Sequence, residues 1–331
     1  AHHLSKLLNL KVLKLNHILD PQVTATVNAM KPGNIIMLEN TRFLKGENTN
    51  DPATAKNLAA LGDLVINDQF SIAHRAEASR SAIAQYLPVY AGLNLLLEVK
   101  MLTQLTTNPQ RPFVAIIGGA KISDKLPAIK NLAQIADVVL VGGGVANNFL
   151  KAAGISVAKS YLEDIAVDAS KRHINYVHLA KDLLRDTHHG KIQYPLDVIA
   201  APQPTSVTSC TLNFVNPAAS DCPQDHYMFL DIGPTTIRLY QEIIRRAKTI
   251  FWNGPMGVFE NSVFAPGTQA IAQAIAQNKT AITVIGGGDT ISAVNKFKLT
   301  KKYDYLSAAG GAALDFLSGK TLPGLKPLLL P

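Results

Sequence analysis

Cysteine is nearly absent from this chain, whose 331 residues contain only Cys210 and Cys222. Two cysteines are too few for a framework of several disulfide bonds, and we interpret them as typical of a reducing compartment. The sequence also contains no C-x-x-C pair and no H-E-x-x-H segment. These absences argue against the common cysteine-based redox sites and histidine-based zinc sites.

Long hydrophobic runs are missing as well. No stretch approaches the roughly 18 consecutive apolar residues of a membrane-spanning helix, and the residues after Ala1 lack the apolar core of a signal peptide. We therefore expect a cytoplasmic protein with no membrane partner. The chain also lacks an initiator methionine and opens on a helical pattern, from which we expect that further residues precede Ala1.

Aromatic residues make up only 6% of the chain, with a single tryptophan, whereas the net charge is +8. A basic chain favours anionic ligands. The lysines and arginines are spread along the sequence, and no zinc-finger or RNA-binding signature accompanies them, so we expect no nucleic acid partner. Apolar residues account for 47% and charged residues for 17%, which is typical of a folded chain long enough for two domains.

Predicted strands and helices alternate along the chain, a pattern typical of α/β proteins. In the first hundred residues, strands at 35–38 and 64–66 end shortly before Arg42 and Arg75. Ligands bind where the carboxyl ends of strands meet in an open α/β sheet. Both arginines are therefore candidates for holding an anion, although two ordinary surface positions explain the sequence equally well. An apolar helix predicted over 93–106 is our domain boundary, and 165–184 predicts one further helix.

The most informative stretch is Phe113–Lys125. Its first five residues predict a strand buried on both faces of a parallel sheet, and two glycines then predict a sharp turn. The amphipathic pattern that follows predicts a helix beginning near residue 123, so that Lys121 and Lys125 would share one side of its first turn. The simplest alternative is that both lysines are ordinary solvated side chains with no shared role. Together with the turn and the helix terminus, however, the pair predicts a phosphate site.

Glycine-rich turns follow several predicted strands of the second half. These turns contain Gly118-Gly119, Gly142-Gly143-Gly144, Gly254, Gly286-Gly287-Gly288 and Gly310-Gly311. Several such turns at one edge of a parallel sheet predict a groove lined with backbone amides. The sequence has no P-loop, and Asn147 stands where a dinucleotide fingerprint has its last glycine, so neither of those nucleotide folds is predicted.

Two carboxylates complete the predicted groove. Asp289 follows three glycines at a predicted helix start, where it can hold a Mg²⁺ ion that bridges phosphates or act as a simple helix cap. Glu260 is placed to accept hydrogen bonds from ribose hydroxyls. Phosphoryl transfer needs positioning and charge stabilisation more than covalent help, and Lys121 and Lys125 are the candidates for that charge.

Six segments of the chain resemble the phosphoglycerate kinase family, in that family's order and nearly from end to end. They are Leu38–Phe43, Ala73–Ala76, Gly118–Lys125, Leu230–Pro234, Trp252–Glu260 and Gly286–Thr290. The resemblance implies an α/β fold with two Rossmann-like three-layer domains, which have mainly parallel sheets and are joined by a long helix and hinge. Residues 1–97 with the tail 316–331 would be the remainder of the N-terminal phosphoglycerate-binding domain, and 98–315 the C-terminal nucleotide-binding domain.

The resemblance also implies a reaction and a set of roles. The reaction is reversible phosphoryl transfer between 1,3-bisphosphoglycerate and ADP, giving 3-phosphoglycerate and ATP in glycolysis, with Mg²⁺ accompanying the nucleotide. The implied catalytic residues are Lys121 and Lys125, and the implied phosphoglycerate-binding residues are Arg42, His74 and Arg75. The implied nucleotide-binding residues are Gly119, Lys121, Lys125, Gly143, Asn253, Pro255, Glu260, Gly287, Gly288, Asp289 and Thr290. Gly310 and Gly311 would receive phosphate at the transfer site, and Asp289 would hold the metal.

The chain departs from the family pattern at several places. The sequence lacks the family's opening segment, which carries the first strand and an arginine thought to neutralise the transferring phosphoryl group. We therefore expect the chain as given to be inactive and its first sheet to lack central strands. The other departures are Phe229 at a usual glycine beside the adenine, Ala308-Ala309 in place of Thr-Gly, and Gln69, Ser71 and Glu77 around His74-Arg75.

We interpret the chain as a phosphoglycerate kinase that acts as a monomer on ADP or ATP and phosphoglycerate. The main alternative is a non-catalytic relative that retains nucleotide or partner binding, which Phe229 and the two alanines motivate. A generic α/β nucleotide-binding module is a third hypothesis, and the ordered set of six segments argues against it.

Overall fold

The computed structural model of the chain describes residues 1–167, 173–187, 190–221 and 226–329. The chain folds into two compact units, one formed by 1–97 with 321–331 and the other by 98–320. Residues 316–320 group with the second unit, while the domain bounds expected from the sequence stay a prediction. Among the described residues no helix combines the length and the apolar character needed to cross a membrane.

The described residues form fifteen strands. They are β1 (Val12–Lys14), β2 (Ile35–Met37), β3 (Val65–Asn67), β4 (Val89–Ala91), β5 (Phe113–Ile117), β6 (Val138–Val141), β7 (Ile165–Val167), β8 (His173–Asn175), β9 (Ile192–Gln193), β10 (Asp197–Ala201), β11 (Cys210–Asn213), β12 (Met228–Ile232), β13 (Thr249–Asn253), β14 (Ile282–Gly286) and β15 (Tyr305–Ser307).

Eleven α-helices accompany these strands in the described residues. They are α1 (His2–Leu8), α2 (Pro21–Asn28), α3 (Pro52–Ala59), α4 (Leu93–Thr107), α5 (Leu126–Ile135), α6 (Gly143–Ala152), α7 (Tyr176–Asp186), α8 (Pro234–Arg246), α9 (Pro266–Gln277), α10 (Gly288–Lys296) and α11 (Gly311–Leu317). The alternating α/β pattern predicted from the sequence is confirmed.

The first unit contains two separate two-stranded sheets among its described residues, one of β1 with β2 and one of β3 with β4, and both are parallel. Its core packs Ile18, Leu58 and Ile83 with alanines of α3. Helix α2 begins at Pro21 behind Asp20, whose side chain accepts from the Gln22 amide at 2.8 Å. Aspartate before proline is a strong helix start, because the carboxylate caps a free N–H while the proline needs no partner.

The second unit is built on a six-stranded parallel sheet in the order β15-β14-β13-β5-β6-β9. Strands β5 and β13 lie at its centre, and all five residues of each are buried, which confirms the sequence prediction for β5. Trp252 and Tyr240 are the largest fully buried side chains of this core. The unit also contains a sheet with the antiparallel order β11-β10-β12 and a two-stranded antiparallel sheet of β7 and β8.

Two expectations from the sequence are corrected here. The helix predicted over 165–184 is confirmed only from Tyr176, where α7 begins; β7 and β8 pair antiparallel before it, and residues 168–172 lie outside the described residues. Asn175 ends the strand and caps the helix by accepting from the His178 amide at 2.7 Å. Cys210 is disulfide-bonded, and Cys222 lies outside the described residues. A low cysteine count excludes a framework of several bridges, but it does not exclude a single bond.

Candidate nucleotide and anion sites

The carboxyl ends of five neighbouring strands meet at one edge of the six-stranded sheet. The parallel registers bring Asn253 of β13 beside Ile117 of β5 and Gly286 of β14, and Gly286 beside Ser307 of β15. Strand β6 joins at Val141, opposite Ile117. The glycine turns that follow these strands therefore lie at a common edge, as predicted.

Glycine is required in these turns because their backbones interlock. A Cβ added to Gly118 would collide with the carbonyl oxygen of Pro255, and Gly254 has a φ of +93°, which side chains rarely adopt. The amide of Gly119 donates to the Pro255 carbonyl at 2.8 Å, and the amide of Gly143 donates to the Met256 carbonyl at 2.9 Å. The expected groove of free backbone amides is thus corrected at Gly119 and Gly143, whose N–H groups serve the fold.

The two lysines of the central stretch occupy different environments. Helix α5 begins at Leu126, with Lys125 as its N-cap residue, so the expectation that both lysines lie on a helical first turn is wrong. Lys121 is exposed. Lys125 instead donates a hydrogen bond from Nζ to the side-chain oxygen of Asn253. Burial lowers the pKa of the Lys125 ammonium below its ordinary value, while Asp124 and Asp289 oppose that shift.

Asn253 occupies the last position of the central strand β13. The residue is fully buried, and its Nδ2 atom has no hydrogen-bond partner among the described residues. A Cβ on Gly287 would stand 3.0 Å from that nitrogen, so the amide faces the glycine turn after β14. A buried donor without a partner is costly and points to a ligand or water that completes it.

Helix α10 begins in the turn after β14. Its first turn contains Asp289 and Thr290, which were both predicted to bind the nucleotide. Asp289 is exposed in its first turn. Thr290 is fully buried, and its Oγ1 accepts from the Gly254 amide at 2.7 Å. The hydroxyl holds the Gly254 turn, and of the two residues only Asp289 is exposed, while a contact of Thr290 with a nucleotide stays a prediction.

A cavity of about 280 Å³ opens beside this edge within the second unit. Its lining is mainly apolar and includes Gly119, Gly143, Pro255, Val258, Phe229 and Leu230, with Glu260 and Asp289 as its carboxylates. Lys296 of α10 donates to the backbone carbonyls of Phe259 and Glu260 at 2.7 and 3.0 Å, and so fixes the segment that carries Glu260. An apolar slot with carboxylates among its lining suits a nucleoside with attached phosphates.

Phe229 forms one wall of that cavity. Its ring packs against Phe214 with centroids 5.6 Å apart and an interplanar angle of 49°. Its amide donates to the Ser160 hydroxyl at 2.8 Å. The aromatic side chain noted in the sequence thus lies in the pocket, and Phe214 supports it.

The turn after β15 rests on a carboxylate that sequence reasoning missed. Ser307 donates from Oγ to Glu98 of α4 at 2.8 Å, and the Ala309 amide donates to the Ser307 hydroxyl at 3.2 Å. Burial raises the pKa of Glu98, and hydrogen bonds from Ser307, Tyr305 and the Ala308 amide oppose that shift. Glu98 lies within the apolar pattern of a predicted helix, so the sequence did not single it out. Its burial as an acid became apparent only in the structure.

Gly310 and Ala309 occupy different positions in the same turn. A Cβ on Gly310 would stand 3.8 Å from the Cα of Gly287, so the glycine turns after β14 and β15 are neighbours. Ala309 is fully buried, whereas Ala308 is exposed. Of the two alanines that depart from the family pattern, only Ala308 is accessible to a ligand. Gly311 opens α11, directly after Gly310.

A second group of basic residues lies in the first unit. Arg42 belongs to a short 3₁₀ helix capped by Asn40, and its side chain is bound to Glu77. Glu77 follows closely on His74 and on Arg75, which is exposed. The C-terminal segment supports this loop, since the Gly324 amide donates to the Ala73 carbonyl at 2.8 Å. The structure thus joins Arg42 to the loop of His74 and Arg75 through a carboxylate.

The donor set for a metal ion is small. Within the described ranges no cluster of three or more His, Cys, Asp or Glu side chains is present. Asp289 offers one exposed carboxylate at the cavity. A single carboxylate suits a Mg²⁺ ion that arrives with phosphates and keeps part of its water, because such an ion needs no protein cage.

Comparison with known protein families gives a consistent result. The sequence profile of the family described as phosphoglycerate kinase matches residues 1–320. The phosphoglycerate kinase of Dictyoglomus turgidum is 41% identical over 330 residues, which cover 99% of this chain and 80% of that protein. That of Pelotomaculum thermopropionicum is 44% identical over 329 residues, with the same coverage.

Solved structures agree with the sequence relatives. The phosphoglycerate kinase of Coxiella burnetii superposes with a TM-score of 0.82 at 38% identity, covering 99% of this chain and 79% of that one. The Pyrococcus horikoshii phosphoglycerate kinase gives a TM-score of 0.83 at 30% identity, covering 99% and 80%.

Proposed function

The chain belongs to the phosphoglycerate kinase family, and from that premise we propose that it holds the two substrates of a reversible phosphoryl transfer on its two units. The products in the ATP-forming direction are 3-phosphoglycerate and ATP, from 1,3-bisphosphoglycerate and ADP. The observation that carries the proposal is the sheet edge at which Lys125 binds Asn253 and lies over Gly119, which lines an apolar cavity together with Asp289.

The second unit binds the nucleotide in this proposal. The apolar cavity takes the base, and Glu260 accepts from the ribose. The polyphosphate lies along the sheet edge, where Lys125 supplies positive charge and the free Nδ2 of Asn253 supplies a buried donor. Lys121, being exposed on the preceding turn, is free to reach the same phosphates. Preorganised charge of this kind is the largest part of what phosphoryl transfer requires from a protein.

Magnesium enters as part of the nucleotide substrate. Asp289 would hold the ion from the first turn of α10, beside the amides of Gly287 and Gly288. When bound, the ion would neutralise part of the charge on the nucleotide phosphates. Gly310 and Gly311 border the same turn and would receive phosphate at the transfer site.

The first unit binds phosphoglycerate through Arg42, His74 and Arg75. A phosphate or carboxylate group is best held by guanidinium groups, because their paired N–H donors match its oxygens. The polypeptide acts as a monomer on small molecules in the cytoplasm, without nucleic acid.

A polypeptide of these 331 residues alone should turn over very slowly. The opening segment of the family supplies an arginine that would neutralise the moving phosphoryl group, and an arginine in that role is worth about 10³–10⁵ in rate. The test is a coupled assay of the 331-residue polypeptide and of a version fused to a relative's opening segment. We expect turnover on the order of 1–100 s⁻¹ only for the fusion. Equal rates for both would refute the proposed inactivity.

A non-catalytic, nucleotide-binding relative is the second candidate, because Phe229 lines the cavity and Ala308 lies exposed on the turn after β15. Calorimetric titration with MgADP and with 3-phosphoglycerate distinguishes the two. A catalytic enzyme binds both ligands and gains activity in the fusion. A non-catalytic relative binds MgADP, and its fusion remains inactive.

A further inference from the structure

The guanidinium of Arg42 is already engaged by an acid of the chain itself. Its Nε and Nη2 atoms donate to one oxygen of Glu77, at 3.2 and 2.9 Å. The side chain of Arg42 is 39% exposed, whereas that of Glu77 is 3% exposed. The contact therefore joins a half-exposed cation to a buried anion, and hydrogen bonds between charged groups are the strong ones.

The surroundings of Glu77 explain why this carboxylate stays in place. Arg80, which is also buried, lies within electrostatic reach of Glu77 and Glu47. Its Nη1 and Nη2 atoms donate to the backbone carbonyl and the side chain of Gln69, at 2.9 and 3.3 Å. Glu77 thus binds one guanidinium group and interacts electrostatically with a second. A buried carboxylate is tolerated only when it is paired, so releasing Arg42 would leave Glu77 poorly compensated.

Two of the residues that depart from the family pattern, Gln69 and Glu77, belong to this one network. Glu77 binds Arg42, and Gln69 binds Arg80, which interacts electrostatically with Glu77. The departures noted separately in the sequence are therefore linked in space. Glu77 thereby places a negative charge beside Arg42, the arginine that is expected to hold the substrate anion.

We propose that Glu77 sets the affinity of the phosphoglycerate site by acting as a built-in competing anion for Arg42. The inference rests on the proposed function of Arg42. Two of its five N–H donors are taken by Glu77. A phosphate or carboxylate group of the substrate binds through the remaining donors and against the repulsion of a nearby carboxylate. Removing the charge of Glu77 while keeping its oxygen should therefore strengthen binding of the substrate.

The test compares the calorimetric affinity for 3-phosphoglycerate of the unmodified chain and of Glu77→Gln. The amide oxygen of Gln still accepts from Arg42, so the guanidinium keeps its orientation and loses only its ionic partner. We expect the affinity to rise about tenfold, since a hydrogen bond to a charged group is stronger than a neutral one by roughly the free energy of a tenfold change. An unchanged or reduced affinity overturns the proposal and assigns Glu77 a positioning role.

The matched control is Glu47→Gln. Glu47 is a buried carboxylate of the same cluster, but it accepts from the Ser79 amide at 2.9 Å. Its neutralisation changes the local charge equally and should leave the affinity within about twofold of the unmodified chain, because no donor of Arg42 is released. An equal rise in both variants would mean that general charge, and not the engagement of Arg42, sets the affinity, which overturns the proposal.

A third variant separates this inference from the function on which it rests. Arg42→Gln should abolish the gain of Glu77→Gln in the double variant. If Arg42→Gln leaves 3-phosphoglycerate binding unchanged, Arg42 lies outside the substrate site and the proposed function fails with the inference. If circular dichroism shows that Glu77→Gln is unfolded, Glu77→Asp replaces it. Its shorter carboxylate holds Arg42 less well, so the affinity should still rise, and no rise overturns the proposal.

Discussion

Lys125 donates from its ammonium group to the side-chain oxygen of Asn253, the last residue of strand β13. Asn253 is fully buried in the central strand β13. A Cβ on Gly119 would stand 3.6 Å from the Cε of Lys125, so the lysine lies over the glycine turn that borders the cavity. One buried amide therefore fixes the position of the cation that we assign to the nucleotide phosphates.

Replacing Asn253 with alanine should weaken MgADP binding at least tenfold. The substitution removes the anchor of Lys125 and also the buried donor that faces Gly287, and one hydrogen bond to a charged group is worth about 1.5–3 kcal/mol. Isothermal titration calorimetry measures the change. Asn295→Ala, at an exposed position of α10, is the control. Equal affinities for the two variants would contradict the assigned role of Asn253.

The two lysines should differ when each is replaced by methionine. Lys125→Met should reduce MgADP affinity more than tenfold, because Lys125 is partly desolvated and held by Asn253. Lys121→Met should have a smaller effect, of roughly 1 kcal/mol or less, since an exposed charge is screened by solvent. The same titration measures both. A larger loss at Lys121 would show that the exposed lysine is the principal phosphate ligand.

Phe229→Gly should strengthen MgADP binding if the ring occupies space that the base requires. The ring lines the cavity and is held there by Phe214. Phe214→Leu is the matched control, because it removes the supporting ring and leaves Phe229 in the cavity. Affinities are compared by calorimetry, with melting temperatures to account for lost packing. Weaker binding by Phe229→Gly would mean that the ring stacks on the base.

The pH dependence of the free energy of unfolding should reveal the protonation of the buried Asp231 carboxyl. Burial raises the pKa of this carboxyl to about 8, although it accepts from the Gly267 and Ile232 amides at 2.6 and 2.9 Å. Above the ordinary pKa of 3.8, the carboxyl of Asp231 is therefore still protonated in the folded chain and already ionised in the unfolded chain. Stability should fall as the pH rises from about 4 to about 8, by roughly 2–5 kcal/mol.

Asp231→Asn should flatten that slope, because the amide does not ionise. Urea denaturation midpoints between about pH 5 and pH 9 measure the effect for the unmodified chain, for Asp231→Asn and for Asp63→Asn at an exposed position. The Asp63 variant should keep the slope of the unmodified chain. Parallel slopes for all three proteins would show that Asp231 is ionised in the folded state.

The sequence predicted those helices and strands that are determined by residues close together in the chain. The five apolar residues before two glycines predicted β5, and aspartate before proline is an equally local cause for the start of α2 at Pro21. The helix predicted over 165–184 was confirmed only from Tyr176 onward, because its periodicity did not reveal the antiparallel pairing of β7 with β8. The helical placement of Lys121 was wrong, since α5 begins only at Leu126, with a proline in its first turn.

The candidate sites were predictable only in part for the same reason. Glycine turns after parallel strands were enough to predict a shared edge, because every strand of a parallel sheet ends on the same side. Sequence alone gave no sign that Thr290 is buried beneath Gly254, or that a hydroxyl of β15 binds a carboxylate of α4, 209 positions away in the chain. Such partners are brought together by packing and not by spacing.

The amino-acid sequence by itself determined the family of this protein, the alternation of strands and helices, and the edge at which its glycine turns gather. The tertiary structure alone decided which charged side chains are exposed and which are bound by other residues. It engaged Arg42 with Glu77, fixed Lys125 on Asn253 and left Lys121 exposed. The physical reason is that the strength of a charge depends on its burial and on its partners, and both are set by residues distant in sequence.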